Sequence, residues 1–273
     1  MAALEPARSG SIPTEEGARV KAVVLFSGGI ASWAAARRTV ERFSDVTLLF
    51  TDTLSEDEDL YRFLGEAAAD VGAPLFKVSE GRTIWEVFRD EKFLGNSRVD
   101  PCSRVLKREQ SRKWLVANRD PADTTVILGY DWTELHRLER AQAAWAPWRV
   151  EAPMTEPPYR LRAELMGDLE GRGIRPPRLY GLGFEHNNCG GGCVKAGQSH
   201  FAHLLQVFPS RFAEWEAHEA EMRVQLGDVA ILRDRTGDES KPMPLSVLRE
   251  RLEAGQAIPL WEIGGCACFE APS

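Results

Sequence analysis

The sequence predicts a doubly wound α/β fold, a parallel sheet with helices on both faces, joined to a smaller, mostly helical C-terminal region that carries cysteines. Three observations lead there. From residue 20 to residue 150, short apolar runs alternate with helical patterns, as βαβ units require. The first run, Val23-Val24-Leu25-Phe26, ends in Ser27-Gly28-Gly29 and passes at once into a helical pattern. After Trp148 the character changes: Pro153, Pro157, Pro158, Pro176 and Pro177 interrupt the chain, and a loop bearing Cys189 and Cys193 follows.

In order along the chain, residues 1–19 are rich in Ala, Gly, Pro, Ser and Glu and read as a flexible tail. Strands are expected at 20–26, 46–50, 75–78 and 125–128, with helices at 31–43, 56–71, 84–90, 104–118 and 133–144. Together, residues 20–150 form the expected nucleotide-binding domain. Residues 151–273 form the C-terminal region, with helices at 161–171, 200–226 (broken near Pro209) and 244–254, a Cys/Gly loop at 187–197 and a second Cys-bearing loop at 264–268.

With 273 residues, 43% of them hydrophobic and 27% charged, the chain has the balance of an ordinary soluble protein with a sizeable core. No apolar stretch reaches membrane-spanning length and the first residues lack a signal-peptide core, so no membrane association and a cytoplasmic location are expected. Five cysteines in such a chain point to ligands or reactive thiols rather than to a disulfide framework. The net charge of −7 argues against a whole-surface, non-specific nucleic-acid binder and leaves room for a local basic groove.

The chemistry concentrates at a few motifs. Gly28 and Gly29 let the backbone turn sharply and approach a ligand, because no Cβ intervenes. The N–H groups of the first helical turn then point at one spot, helped by the helix dipole and by the hydroxyls of Ser27 and Ser32. That is a phosphate site, the alternative being a plain strand-to-helix turn. After the second strand, the Asp52 carboxylate, beside Thr53, can accept from ribose hydroxyls or an adenine amine, or cap a helix. Gly129 ends the fourth strand and precedes Glu134, Arg137 and Arg140, which suits close approach to a ribose and guanidinium contact with phosphates. A charged helix face explains the same residues. Arg104, Lys107 and Arg108 share one face of a basic helix and could clamp phosphates or lie solvated. Trp132, Trp145 and Trp148 are assigned to the core rather than to base stacking.

Cys189-Gly190-Gly191-Gly192-Cys193 leaves its backbone free to wrap a metal or cluster. With Cys102 and one of Cys266 or Cys268 there are four candidate thiolates, a set suited to an iron–sulfur cluster of the 4Fe–4S type or to Zn²⁺. Three cysteines holding a cluster, with another thiol as persulfide carrier, is a second arrangement. A zinc site that only fastens the tail, with His186, His200 or His203 substituting, is a third.

Ser27-Gly28-Gly29-x-x-Ser32 resembles the fingerprint of the PP-loop ATP pyrophosphatases, and no Gly-Lys-Ser/Thr follows it as in a Walker loop. The chain is most similar to the phosphosulfate-reductase-like branch, in scattered motifs from about residue 21 to about residue 205. Asp52-Thr53 with Glu58 and Tyr61-Arg62-Phe63, Cys102 followed five residues later by Lys107, and Leu179-Tyr180 through Gly183-Phe184 to Cys193 all resemble that branch. This chain has Tyr130-Asp131 where the family usually carries an Arg, which passes the pyrophosphate role to Arg137 or Arg140. The resemblance implies a PP-loop/HUP-like fold, ATP with Mg²⁺, and adenylation of a substrate with Lys107, Arg137 and Arg140 catalytic. The implied outcome is sulfur transfer, dependent on a cluster or thiol, from a sulfur donor to a tRNA or DNA acceptor. Reduction of adenylyl sulfate or its 3′-phosphate is an alternative, although Cys102 stands alone where that reductase has a Cys-Cys pair. A non-catalytic ATP- and metal-binding sensor or partner subunit is another.

Overall fold

Five short strands carry the molecule, and the three central ones are apolar enough to lie only between layers of helices. The computed structural model describes residues 21–236 and 239–257; the expected tail at 1–19, Cys266 and Cys268 lie outside them. Strands β1 (Lys21–Leu25), β2 (Asp45–Asp52), β3 (Leu75–Ser79), β4 (Thr124–Ile127) and β5 (Arg149–Glu151) form one sheet in the order β3-β2-β1-β4-β5. All pairs are parallel; Val23 stands opposite Thr47 on one side and Val126 on the other. β1, β2 and β4 are buried on both faces, which is why they read as continuous apolar runs rather than as alternating ones.

Helices α1 (Ile30–Val40), α2 (Glu58–Val71), α3 (Ile84–Glu91), α4 (Glu109–Asn118) and α5 (Leu135–Trp145) connect the strands. Helix α2 shows why they form. Leu60, Phe63, Leu64, Ala67, Ala68 and Val71 recur at helical spacing and are buried. Asp57 caps the start through the Asp59 N–H, and Gly72 ends the helix at φ +73°, a left-handed turn that glycine adopts at least cost. Thr83 and Glu86 form a capping box at the head of α3.

The 104–118 helix of the sequence reading is two pieces. Residues Ser103–Arg108 wind as a π-helix, and only Glu109–Asn118 are α. Beyond the sheet come α6 (Arg162–Gly171), α7 (Arg178–Gly181), α8 (Gln198–Val207), α9 (Pro209–Leu226), an antiparallel hairpin β6 (Leu232–Asp234) and β7 (Lys241–Met243), and α10 (Leu245–Glu253). Strand β5 and the hairpin were not foreseen; at three residues each they carry too little periodicity to see.

Two of the three apolar cores draw several residues from either side of position 150. Met154, Leu165, Leu169 and Ile174 pack in the core under α1 and α2. Conversely Trp85, Phe88, Val105 and Leu106 from the first half pack with Phe201, Phe212 and Trp215 from the second. Each fully buried aromatic side chain there stabilises the fold by roughly 1.5–3 kcal/mol. Trp145 and Trp148 are core residues, as expected, but Trp132 is 41% exposed and lies against Tyr159. No helix among the described residues is long and apolar enough to cross a membrane.

Candidate functional site

The chain leaves β1 to one side for β2 and β3 and returns on the other for β4 and β5, so the reversal falls between β1 and β4. In open α/β sheets ligands bind in the crevice at that reversal, beyond the carboxyl ends of the strands. A cavity lies there, lined by Leu25, Ser27, Gly29 and Ser32 from the first turn, Gly129, Tyr130, Glu134 and Arg137 from the fourth, and Lys107.

Gly28 takes φ +76°, the conformation that swings the chain from β1 into α1. Ser27 Oγ accepts from the Gly29 N–H at 3.4 Å and donates to Ser32 Oγ at 3.3 Å, and Ser32 Oγ donates to the Gly29 carbonyl at 2.8 Å. No side chain caps α1 and no acidic residue stands in its first turn. The positive end of the helix is thereby left to a ligand.

Two cations face this turn. Lys107 is only 4% exposed, and its ammonium lies 3.4 Å from Glu56 Oε1. The π-winding explains why it alone of its basic face lines the cavity: Arg104 pairs with Glu91 and Glu109, and Arg108 with Asp100. Arg137 pairs with Glu134 and stacks over the Tyr130 ring at 4.4 Å. Burial pushes the Glu134 carboxyl above its usual range, against the pull of Arg137. The remaining wall comes from the C-terminal half: Tyr180, His186, Asn187 and Asn188. Burial holds the His186 imidazole below its ordinary value, which favours the neutral ring.

Other expected residues lie elsewhere. Asp52 is buried but does not line the cavity; its carboxylate accepts from Leu54 N–H and Tyr61 Oη, both at 2.9 Å, and meets the Lys77 ammonium at 2.7 Å. These partners outweigh burial and hold the carboxyl below its usual range. Thr53 donates to Glu56, and Arg140 is exposed outside the cavity. Gly129 is needed for a different close approach, since a Cβ there would stand 2.8 Å from Ser32 Cα. The four-thiolate set is not assembled by the described residues: no three His, Cys, Asp or Glu side chains among them converge as a metal would need. Cys102 sits in the second apolar core, Cys193 packs against it, and Cys189 lines a cleft with Ser55, Glu56 and Trp215. Of the three histidines offered as substitutes, His186 lines the cavity, while His200 donates to the Gly191 carbonyl at 2.7 Å and His203 to the Leu182 carbonyl at 2.8 Å.

Two residues escaped the sequence reading. Glu56 accepts from Thr53 Oγ1 (3.0 Å) and from the Cys189 N–H (2.7 Å) while it pairs with Lys107. It joins the cysteine loop to the cavity. Asn187 donates from Nδ2 to the Gly28 carbonyl at 3.1 Å and so fastens the phosphate turn. The only signal for it was the polar run His186-Asn187-Asn188 before Cys189.

A Ser-Gly-Gly turn at the end of β1, this strand order and the crevice beside β4 together decide the architecture. The chain has a doubly wound parallel α/β fold. Similar solved structures include phosphoadenylyl-sulfate (PAPS) reductase from Candida auris in its phosphate complex, with 15% identity over 61% of this chain and 80% of that one and a TM-score of 0.42. NMN synthetase from Francisella tularensis is 14% identical over 57% of this chain and 63% of its own length, less than two thirds, with a TM-score of 0.38. NH3-dependent NAD synthetase from Campylobacter jejuni is 12% identical over 77% and 86%, with a TM-score of 0.40. No protein-family model and no curated protein matches the sequence.

Proposed function

We propose that the protein binds ATP in the β1–β4 crevice and transfers its AMP moiety to an acceptor, releasing pyrophosphate. The observation that carries this reading is the convergence of the Ser27-Gly28-Gly29 turn, Lys107 and Arg137 on one cavity. In the reaction, a nucleophilic oxygen of the acceptor attacks the α-phosphorus and the bond to the bridging oxygen of pyrophosphate breaks. The amides of the α1 first turn and the hydroxyls of Ser27 and Ser32 hold phosphate oxygens, and Lys107 and Arg137 stabilise the charge that builds on the leaving group. Mg²⁺ carried by the triphosphate supplies Lewis-acid stabilisation of the same charge. A second nucleophile then displaces AMP.

Titration with MgATP tests the reading. Saturable binding is expected, weakened at least tenfold, about 1.4 kcal/mol or more, in Lys107→Ala. Absence of binding by the unsubstituted protein would overturn it.

Sulfur transfer to a nucleic acid is the fuller version, favoured by the contact that ties Cys189 to Glu56 and so to Lys107. Sulfur supplied by a donor as a persulfide on Cys189 would attack the adenylated carbon of a tRNA or DNA base. The carbon–oxygen bond to AMP would break, and a second thiol would cleave the S–S bond. Cys189→Ala is then expected to retain ATP binding and lose sulfur incorporation into nucleic acid; retained incorporation would remove Cys189 from this role.

A further inference from the structure

Asn187 uses only part of its hydrogen-bonding capacity. Its Nδ2 donates to the Gly28 carbonyl, and because a carbonyl can only accept, that bond fixes which way the amide points. Among the described residues its Oδ1 is then left buried without a hydrogen-bond partner, on a residue that is 2% exposed and lines the β1–β4 cavity. A buried acceptor in that condition carries the whole desolvation penalty until a donor reaches it.

The chemistry of the cavity narrows which donor that is. Ser27, Ser32, Lys107 and Arg137 are suited to phosphate oxygens, and a nucleotide's phosphates accept hydrogen bonds but donate none near neutral pH. Oδ1 therefore serves a different part of the ligand. On a nucleoside triphosphate the donors are the ribose hydroxyls and an exocyclic amine of the base. We propose that Asn187 is a specificity-determining residue whose Oδ1 accepts a hydrogen bond from the nucleoside part of the bound nucleotide, while its Nδ2 holds the phosphate turn. The proposal rests on the ATP-binding reading and extends it to a residue of the C-terminal half.

The test compares ATP with three analogues, each lacking one donor: 2′-deoxy-ATP, 3′-deoxy-ATP and the triphosphate of purine riboside, which has no 6-amine. Each is titrated calorimetrically into the unsubstituted protein and into Asn187→Leu. The unsubstituted protein is expected to bind one analogue about tenfold more weakly than ATP, and that analogue identifies the donor. Asn187→Leu is expected to bind ATP about tenfold more weakly and no longer to distinguish it from that analogue. Should the leucine variant not fold, Asn187→Asp keeps an acceptor and is expected to keep the discrimination.

Equal binding of all four nucleotides by the unsubstituted protein overturns the proposal. So does a leucine variant that preserves the discrimination, or an aspartate variant that loses it. Binding of none of the four overturns the ATP reading along with it, so the two failures are told apart.

Discussion

Two glycine-rich turns sit a short distance apart; both contain left-handed glycines, and they differ in what lies beyond them. In Ser27-Gly28-Gly29 glycine permits a left-handed backbone at Gly28 and leaves the helix start facing an open cavity. In Cys189-Gly190-Gly191-Gly192-Cys193 it makes room for the protein itself. A Cβ on Gly192 would stand 2.3 Å from the Trp215 ring, one on Gly191 3.1 Å from Phe184, and one on Gly190 3.2 Å from the Ser55 carbonyl. Glycine in a sequence announces close approach; only the tertiary structure says whether a ligand or an indole ring approaches.

Glu56 bridges the two turns, and its removal is the strongest way to break the contrast. Glu56→Ala removes the buried pair with Lys107 together with the bonds from Thr53 Oγ1 and the Cys189 N–H, and is expected to cost about 3–5 kcal/mol in urea unfolding. Gly192→Ala comes next, at about 1–3 kcal/mol, because the Trp215 ring must move. Gly29→Ala, whose Cβ would meet nothing nearer than 3.3 Å, is expected to change unfolding by less than about 0.5 kcal/mol while weakening nucleotide binding. Equal stability losses at the two glycines would erase the distinction.

Asp52 sharpens the comparison from outside the cavity. Asp52→Asn is expected to cost about 2 kcal/mol at neutral pH and to leave nucleotide affinity unchanged. The folded carboxyl titrates below its unfolded value of 3.8. Its contribution is therefore present above about pH 3.8 and lost as pH falls through the depressed value. Acid unfolding of the unsubstituted protein is expected to show that loss, and the asparagine variant to lack it. Cys189→Ser, like Gly29→Ala, is expected to shift unfolding by no more than about 0.5 kcal/mol.

How much could be read beforehand follows from the range of each signal. The β1 turn, its two serines and the alternation of strand and helix are local, and their patterns lie within a few residues. Lys107 was singled out together with Arg104 and Arg108, but a regular helix would have kept all three on one face. The π-winding parts them, and no residue in Ser103–Arg108 announces it. Glu56 and Asn187 were invisible for a different reason. Their partners, Cys189 and Gly28, lie 133 and 159 positions away along the chain. The Cys-x-x-x-Cys spacing is local too, whereas the Trp215 ring that stands against Gly192 comes from a separate helix.

The bond from Asn187 to Gly28 also has a meaning for biosynthesis. A ribosome releases the Ser-Gly-Gly turn early, yet the wall that closes over it is translated some 160 residues later. A nascent chain interrupted before residue 186 would lack that wall, and with it Phe201, Phe212 and Trp215, which pack with Val105 and Leu106 beside Lys107. A nucleotide added during translation is therefore expected to protect the N-terminal half from protease only once Asn187 has emerged.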